Sequence, residues 1–245
     1  FPYTTLFRSF LHQNFGVDLR SDAAVGIKPM SPFGSKRLVR KAIQWALDQG
    51  RRSVTLVHKG NIMKFTEGGF RQWGYEVAAA EFAQQTTPEA DLSPNTHPRS
   101  GQVVIKDRIA DAMFQNVLLW PEDYDVLALP NLNGDYMSDA LAAQVGGLGM
   151  APGANIGEQA AIFEATHGTA PGLAGKDQVN PGSLILSGAM MFDHLGWMEA
   201  AQAIRTAMEA TIAAHTVTSD LAQDLPEATV LSCSEFARTV ASQMS

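Results

Sequence analysis

Asp135 and Asp139 stand four positions apart in "NLNGDYMSDALAAQVGG", residues 131–147, at the start of a segment of helical composition. On one helical face their Cβ atoms lie about 5–6 Å apart, and like charges at that spacing repel by roughly 0.2–0.5 kcal/mol. A hard divalent cation between them would turn repulsion into ligation, and all-oxygen ligands suit Mg²⁺ or Mn²⁺. Taken alone, the pair is first of all a solvated acidic helix start, because carboxylates favour helix N-termini. Asn133-Gly134 reads as a turn that brings backbone close to a small ligand. A second acidic group comes from "KDRIADAMFQNVLL", where Ile109, Ala112, Met113, Asn116 and Val117 form one stripe. Arg108, Asp111 and Gln115 form a polar stripe on the other side. So apolar a helix should be well buried, which would set its polar stripe on a cleft or a subunit contact. Asp111 is therefore either a third metal ligand or a surface carboxylate. Lys59 and Asn61 follow the run "SVTLVH" in "HKGNIMKFTEG". A lysine beyond the C-terminal end of a strand sits where α/β folds place ligands. Near a cation its pKa falls, which suits proton transfer; the alternative is an exposed loop lysine.

Two stretches, "VGGLGMAPGANIG" and "EATHGTAPGLAGKDQVNPG", are dense in glycine, proline and small residues. Such loops let backbone amides approach a ligand. The G-x-G-x-x-G fingerprint is absent, because Gly147-x-Gly149 is followed by Met150, Ala151 and Pro152, so a Rossmann site is not expected. His167, between Thr166 and Gly168, either packs on an adenine or is solvated.

Positioning these groups requires alternating strands and helices. "SKRLVRKAIQWALDQG" places Leu38, Val39, Ala42, Ile43, Ala46 and Leu47 on one stripe of a helix ending at Gly50. "SVTLVH" is a strand, and "TEGGFRQWGYEVAAAEFA" a helix capped by Thr66 with Phe70, Trp73 and Val77 inward. Residues 84–101 read as a loop, "QVVIKD" as a strand, "RIADAMFQNVLL" as a helix and "DYDVLALP" as a strand. "AAIFEA" is a strand; "GSLILSGAMMFDHLG" and "WMEAAQAIRTAMEATIAAHT" are helices around a stop at Gly196, and "SEFARTVASQM" is a last helix. Strand–helix alternation predicts an α/β fold.

The chain has 245 residues, 45% hydrophobic and 18% charged, enough for a real core in one or two domains. A net charge of −7 without a basic face argues against nucleic acid as the main partner. The apolar run near residues 184–192 is too short to span a bilayer, and no secretory signal is legible. One cysteine, Cys233, excludes an internal disulfide and fits a reducing, cytoplasmic setting. "FPYTTLFRS" shows no helical period; it reads as translated adapter sequence over residues 1–9 or as a genuine strand.

Together, "TLVHKGNIMKFTEGGFRQWGYE", "VVIKDRIADA", "NLNGDYMSDALAAQVGGLGMAPGANIG", "FEATHGTAP" and "KDQVNPGSLILS" resemble bacterial-type isocitrate dehydrogenases, decarboxylating β-hydroxyacid dehydrogenases. Isopropylmalate dehydrogenases share the outline, but the "HKGNIMKFTEG" and "NLNGDYMSD" wording looks like the isocitrate branch. The resemblance implies the isocitrate/isopropylmalate dehydrogenase-like fold, which is not Rossmann, in its C-terminal portion only. It implies a dimer clasp ending near residue 31, a small dimer-forming domain over 32–145, and part of a large dinucleotide-binding domain over 146–245. The implied activity is oxidative decarboxylation of isocitrate to 2-oxoglutarate with NADP or NAD and Mg²⁺ or Mn²⁺, in a homodimer with shared sites. Asp135 and Asp139 would bind the metal from one subunit, with Asp111 from the other. Lys59 and Asn61 would meet the substrate, Lys59 assisting proton transfer. Glu164, His167, Gly168, Asn180 and Asp220 would line the dinucleotide, with Gln115 entering across the dimer.

Two departures qualify that picture. The family's N-terminal segment, which grips the substrate, is not represented, so the chain alone is expected to be inactive. The positions that resemble a 2′-phosphate pocket carry Gly172, Leu173, Ser219, Gln223 and Trp120, none of them the charged donor that a dianionic phosphate favours. The alternatives left open are an isopropylmalate or homoisocitrate dehydrogenase, and a noncatalytic dimerising fragment.

Overall fold

A computed structural model describes residues 2–93 and 98–244. The chain forms two compact units, Phe1–Gly134 and Asp135–Ser245.

The first unit carries α1 (Pro2–Phe15), α2 (Pro32–Asp48), β1 (Ser53–His58), α3 (Glu67–Glu81), β2 (Thr86–Pro88), β3 (Val103–Ile109), α4 (Ala110–Leu119) and β4 (Val126–Ala128). Its sheet has the order β2-β3-β1-β4, and every pairing is parallel. All six residues of β1 are buried, as expected of a central strand covered on both faces. Val39, Ile43 and Ala46 of α2 and Phe70, Val77 and Ala78 of α3 pack on Val54, Leu56 and Ile105 to form the core. Gly74 lets α3 sit close to the sheet, because a Cβ there would fall 2.5 Å from Leu56 Cδ1. Helix α2 starts with Ser31 Oγ accepting from Gly34 N–H. It stops at Gly50, at φ 61°, where Arg51 N–H reaches back to the Ala46 carbonyl.

Several local expectations differ from the structure. Residues 2–9 belong to helix α1 rather than to a strand; the Phe7 ring stacks on Phe10, which meets Phe15 edge-on. The 84–101 loop contains the short edge strand β2, where Pro88 is tolerated, and its residues 94–97 lie outside the described residues. Thr66 adopts a helical conformation and makes no capping bond. Arg108 lies in β3 opposite Val57 rather than on the α4 stripe, with its guanidinium on Glu89. In α4, Met113 and Val117 are buried, while Leu118, Leu119 and Trp120 at its end are exposed.

Helix α5 (Asn131–Gln144) runs across the division between the units. Asn133 and Gly134 lie in its first turn rather than in a turn ahead of it; Gly134 N–H bonds the Pro130 carbonyl, as helix propagation requires. The second unit continues with the hairpin β5 (Pro152–Ile156) and β6 (Ala161–Ala165), helices α6 (Gly182–His194) and α7 (Met198–Ala213), the two-stranded pair β7 (Thr216–Val217) and β8 (Thr229–Val230), and α8 (Cys233–Ser242). Ala207 and Met208 of α7 pack on Phe236 and Val240 of α8. Ser232 and Glu235 form a reciprocal capping box at the start of α8.

Candidate active site

Strands β1 and β3 are parallel neighbours in register, His58 beside Ile109. The residues just past their C-terminal ends therefore meet. Lys59 Nζ lies 2.5 Å from Asp111 Oδ1, and this bond holds the Asp111 carboxyl below its ordinary value. After Lys59 the chain turns tightly, with the Ile62 and Met63 amides both donating to the Lys59 carbonyl. Asn61, within that turn, is exposed.

Behind Lys59 is a network that sequence reasoning did not single out. His58 is 5% exposed. Its Nδ1 accepts from Gly60 N–H at 3.0 Å, and its Nε2 lies 3.2 Å from Asp107 Oδ2. With Nδ1 accepting, Nε2 is the donor to Asp107. Asp107 also accepts from Tyr75 Oη at 2.8 Å and pairs with Arg71 at 2.9 Å. The His58 bond, joined by Arg71 and Tyr75 against the opposing effect of burial, holds Asp107 far below the carboxylate range. Burial and Asp107 push the Tyr75 phenol up. Gly60 is required here: a Cβ would fall 2.8 Å from Gly68 Cα and 2.9 Å from His58 Nδ1. The sequence signal was slight: His58 closes a strand that also holds Ser53 and Thr55, and Asp107 lies between Lys106 and Arg108 in β3.

In the second unit, the buried Asn180 donates to Asp220 Oδ2 at 3.0 Å and accepts from Gly182 N–H at 2.8 Å, while Thr218 Oγ1 donates to Asp220 Oδ1 at 2.6 Å. Gly149 and Gly182 serve this packing, because a Cβ on either would come within 3.0 Å of Asn180. Glu164, on β6, accepts from Asn155 across the hairpin at 2.7 Å. His167 Nδ1 lies 2.9 Å from the Gly168 carbonyl, and a Cβ on Gly168 would meet open space.

Two buried serines of α6 hold the hairpin that carries Glu164. Ser183 Oγ accepts from Thr166 N–H at 3.2 Å and donates to the Ala151 carbonyl at 2.5 Å. Ser187 Oγ accepts from Gly153 N–H at 3.1 Å and lies 2.8 Å from the Glu164 carbonyl. The same hydroxyl lies 2.7 Å from the Ser183 carbonyl, so Ser187→Ala strands the Gly153 amide and removes the one proton those two carbonyls share. The expected loss is about 1–3 kcal/mol in urea unfolding; a variant as stable as the parent would remove the anchoring role.

The structure thus joins Lys59 with Asp111 and Asn180 with Asp220. Asp135 and Asp139 are exposed on α5, and Gln115 is exposed on α4. None of these three side chains has a hydrogen-bond or ion-pair partner among the described residues. No group of three or more His, Cys, Asp or Glu gathers to hold a metal among the described residues of the single chain. None of its helices, among those residues, is long and apolar enough to cross a membrane. Of the uncharged positions compared above with a 2′-phosphate pocket, Gly172 and Leu173 lie in a 3₁₀ turn, Ser219 and Gln223 flank Asp220, and Trp120 is exposed.

A model of isocitrate/isopropylmalate dehydrogenases matches residues 11–240. The chain is 56% identical over 239 residues to a protein of Pseudomonas aeruginosa named isocitrate dehydrogenase [NADP], covering 96% of this chain and 57% of that one. It is 52% identical over 233 residues to the Archaeoglobus fulgidus protein of the same name, covering 94% and 56%. A crystal structure of isocitrate dehydrogenase from Methylococcus capsulatus matches with a TM-score of 0.78 and 37% identity, over 93% of this chain and 61% of that one. The chain therefore spans little more than half the length of the curated relatives it matches. Over that span, sequence and fold agree: the chain belongs to the isocitrate/isopropylmalate dehydrogenase family.

Proposed function

We propose that this chain is the C-terminal portion of an NADP-dependent isocitrate dehydrogenase that converts isocitrate to 2-oxoglutarate with loss of CO₂. The observation that carries the reading is the Lys59–Asp111 pair, held at the C-terminal ends of adjacent strands, in a chain 56% identical to a protein of that name. The "HKGNIMKFTEG" and "NLNGDYMSD" segments favour isocitrate over isopropylmalate or homoisocitrate, and the paired Lys59 favours an enzyme over a noncatalytic remnant.

In this reading residues 32–145 are the small dimer-forming domain, residues 146–245 belong to the large domain, and the enzyme works as a cytoplasmic homodimer. Asp135 and Asp139 fit a hard divalent cation: two exposed carboxylates one helical turn apart, neither engaged by a described residue. With Asp111 of a second copy they would hold Mg²⁺ or Mn²⁺, which when bound supplies positive charge to the substrate's oxygens. Lys59 takes and returns a proton at Nζ, and Asn61 donates to the substrate from the same turn. Asp111, depressed by Lys59, stays ionised at neutral pH and keeps the lysine oriented. Asn180, Asp220, Glu164, His167 and Gly168 line the dinucleotide, with Gln115 reaching it from the second copy. Because Gly172, Leu173, Ser219, Gln223 and Trp120 supply no charged donor, NAD is a competing cofactor to compare with NADP in the same assay.

The test is calorimetric titration of Mn²⁺ into the full-length protein, alongside isocitrate-dependent NADP reduction. Asp139→Asn is expected to weaken Mn²⁺ affinity at least 10-fold, because a ligand charge is lost, and to lower turnover with it. Full affinity in the variant, or a wild type inert toward isocitrate, would overturn the assignment.

A further inference from the structure

Glu67 opens α3 and is 1% exposed, which is an expensive place for a carboxylate unless it is fully paired. It is paired on every side. Lys28, from the segment before α2, bonds Oε1. The Lys59 amide donates to Oε2 at 2.5 Å, and Asn133 Nδ2, in the first turn of α5, donates to the same oxygen at 2.8 Å. Burial pushes the carboxyl up, but Lys28, the Lys59 amide and Asn133 outweigh it and hold Glu67 below its ordinary value. One ionised group thus ties the backbone of Lys59 to the start of the helix that bears Asp135 and Asp139. On the other side of Lys59, Gly60 N–H is fixed by His58 Nδ1, so two successive amides are clamped from different directions.

We infer that Glu67 is a positioning residue for the reaction, setting the Lys59 main chain and the first turn of α5 together, with Lys28 as its counter-charge. This rests on the proposed function for its kinetic consequence but not for its structural one. A carboxylate kept only to neutralise Lys28 would need neither amide contact, whereas a clamp needs both.

The test compares Glu67→Leu, Glu67→Gln and Lys28→Gln in the full-length protein, by steady-state kinetics and by amide hydrogen exchange over residues 58–61. Leucine keeps volume and removes both acceptors; glutamine keeps one. Misplacing a proton-transfer group by about 1 Å costs on the order of 100-fold. Glu67→Leu is therefore expected to lower kcat about 100-fold with KM for isocitrate changed less than about 3-fold. Glu67→Gln should fall about 10-fold, a partial rescue by its remaining acceptor. Amide exchange at Lys59 should quicken in the same order. Lys28→Gln, which keeps both amide contacts of Glu67, should lower Tm and should change kcat per folded site and Lys59 exchange no more than Glu67→Gln does. Folded Glu67→Leu with parental kcat and exchange would overturn the inference, and so would Lys28→Gln reproducing the kcat loss. If the parent itself fails to oxidise isocitrate, the proposed activity is wrong, and the exchange data still decide the clamp.

Discussion

Lys59→Met in the full-length protein is expected to lower kcat for isocitrate oxidation by about 10²- to 10⁴-fold, the range that a positioned proton-transfer group contributes. The substitution keeps the stem length and removes only the ammonium. The backbone reasons for this position survive it: the Lys59 amide still meets Glu67, and Gly60 still meets His58. Among the described residues the partly exposed ammonium pairs with Asp111 alone, so its loss exposes a carboxylate to water instead of stranding it in a core. Stability should therefore change by less than about 1 kcal/mol, as for other solvent-exposed pairs. Asp111 should then titrate nearer its ordinary value, since Lys59 is the largest cause of its depression. A large activity loss at unchanged Tm marks Lys59 as chemical. Retained turnover, with kcat within about 3-fold of the parent, would remove proton transfer from its role.

What the sequence revealed about this site depended on the distance over which its causes act. Lys59 was legible because it follows a strand, and Asp111 because it stands on a polar helical stripe; that the two meet comes from parallel neighbours in register ending side by side, which neither segment shows alone. Helix α2 was legible because Val39, Ile43 and Ala46 keep a helical period and Gly50 ends it. Strand β5 was not: its residues are exposed or half-buried and written in Gly-Pro-rich text, so neither alternation nor β-branched content marked it. Arg108 was assigned to the α4 stripe because its spacing from Asp111 fits a helix; parallel pairing to Val57 won instead. Glu67 was illegible for a different reason. An acidic residue in a helix's first turn is ordinary, and nothing local shows that its partners lie 39 and 66 positions away. The resemblance supplied roles for Asn180 and Asp220, but their hydrogen bond joins segments that no local pattern connects.

Asp107→Asn is expected to cost about 2–3 kcal/mol, because one atom swap disturbs three partners. The carboxylate side chain is 25% exposed, and it accepts from Tyr75 while facing His58 Nε2 and Arg71. Asparagine offers one acceptor and no charge, so the His58 donor or the Tyr75 donor loses its partner, and the Arg71 guanidinium loses its counter-charge. The pH dependence identifies the cause. Asp107 is depressed below its ordinary 3.8, so in acid the unfolded chain binds a proton that the folded one refuses. Its contribution is complete above about pH 5 and is lost as pH falls toward the folded value. The gap between parent and variant in urea unfolding should then shrink by about 1 kcal/mol from pH 7 to pH 3. A gap independent of pH would trace the loss to packing rather than to charge. Since His58 Nδ1 holds the Gly60 amide next to Lys59, a charge-based loss predicts faster amide exchange at Gly60 as well. In that case the network that stabilises the C-terminal ends of β1 and β3 is also what keeps the lysine in place.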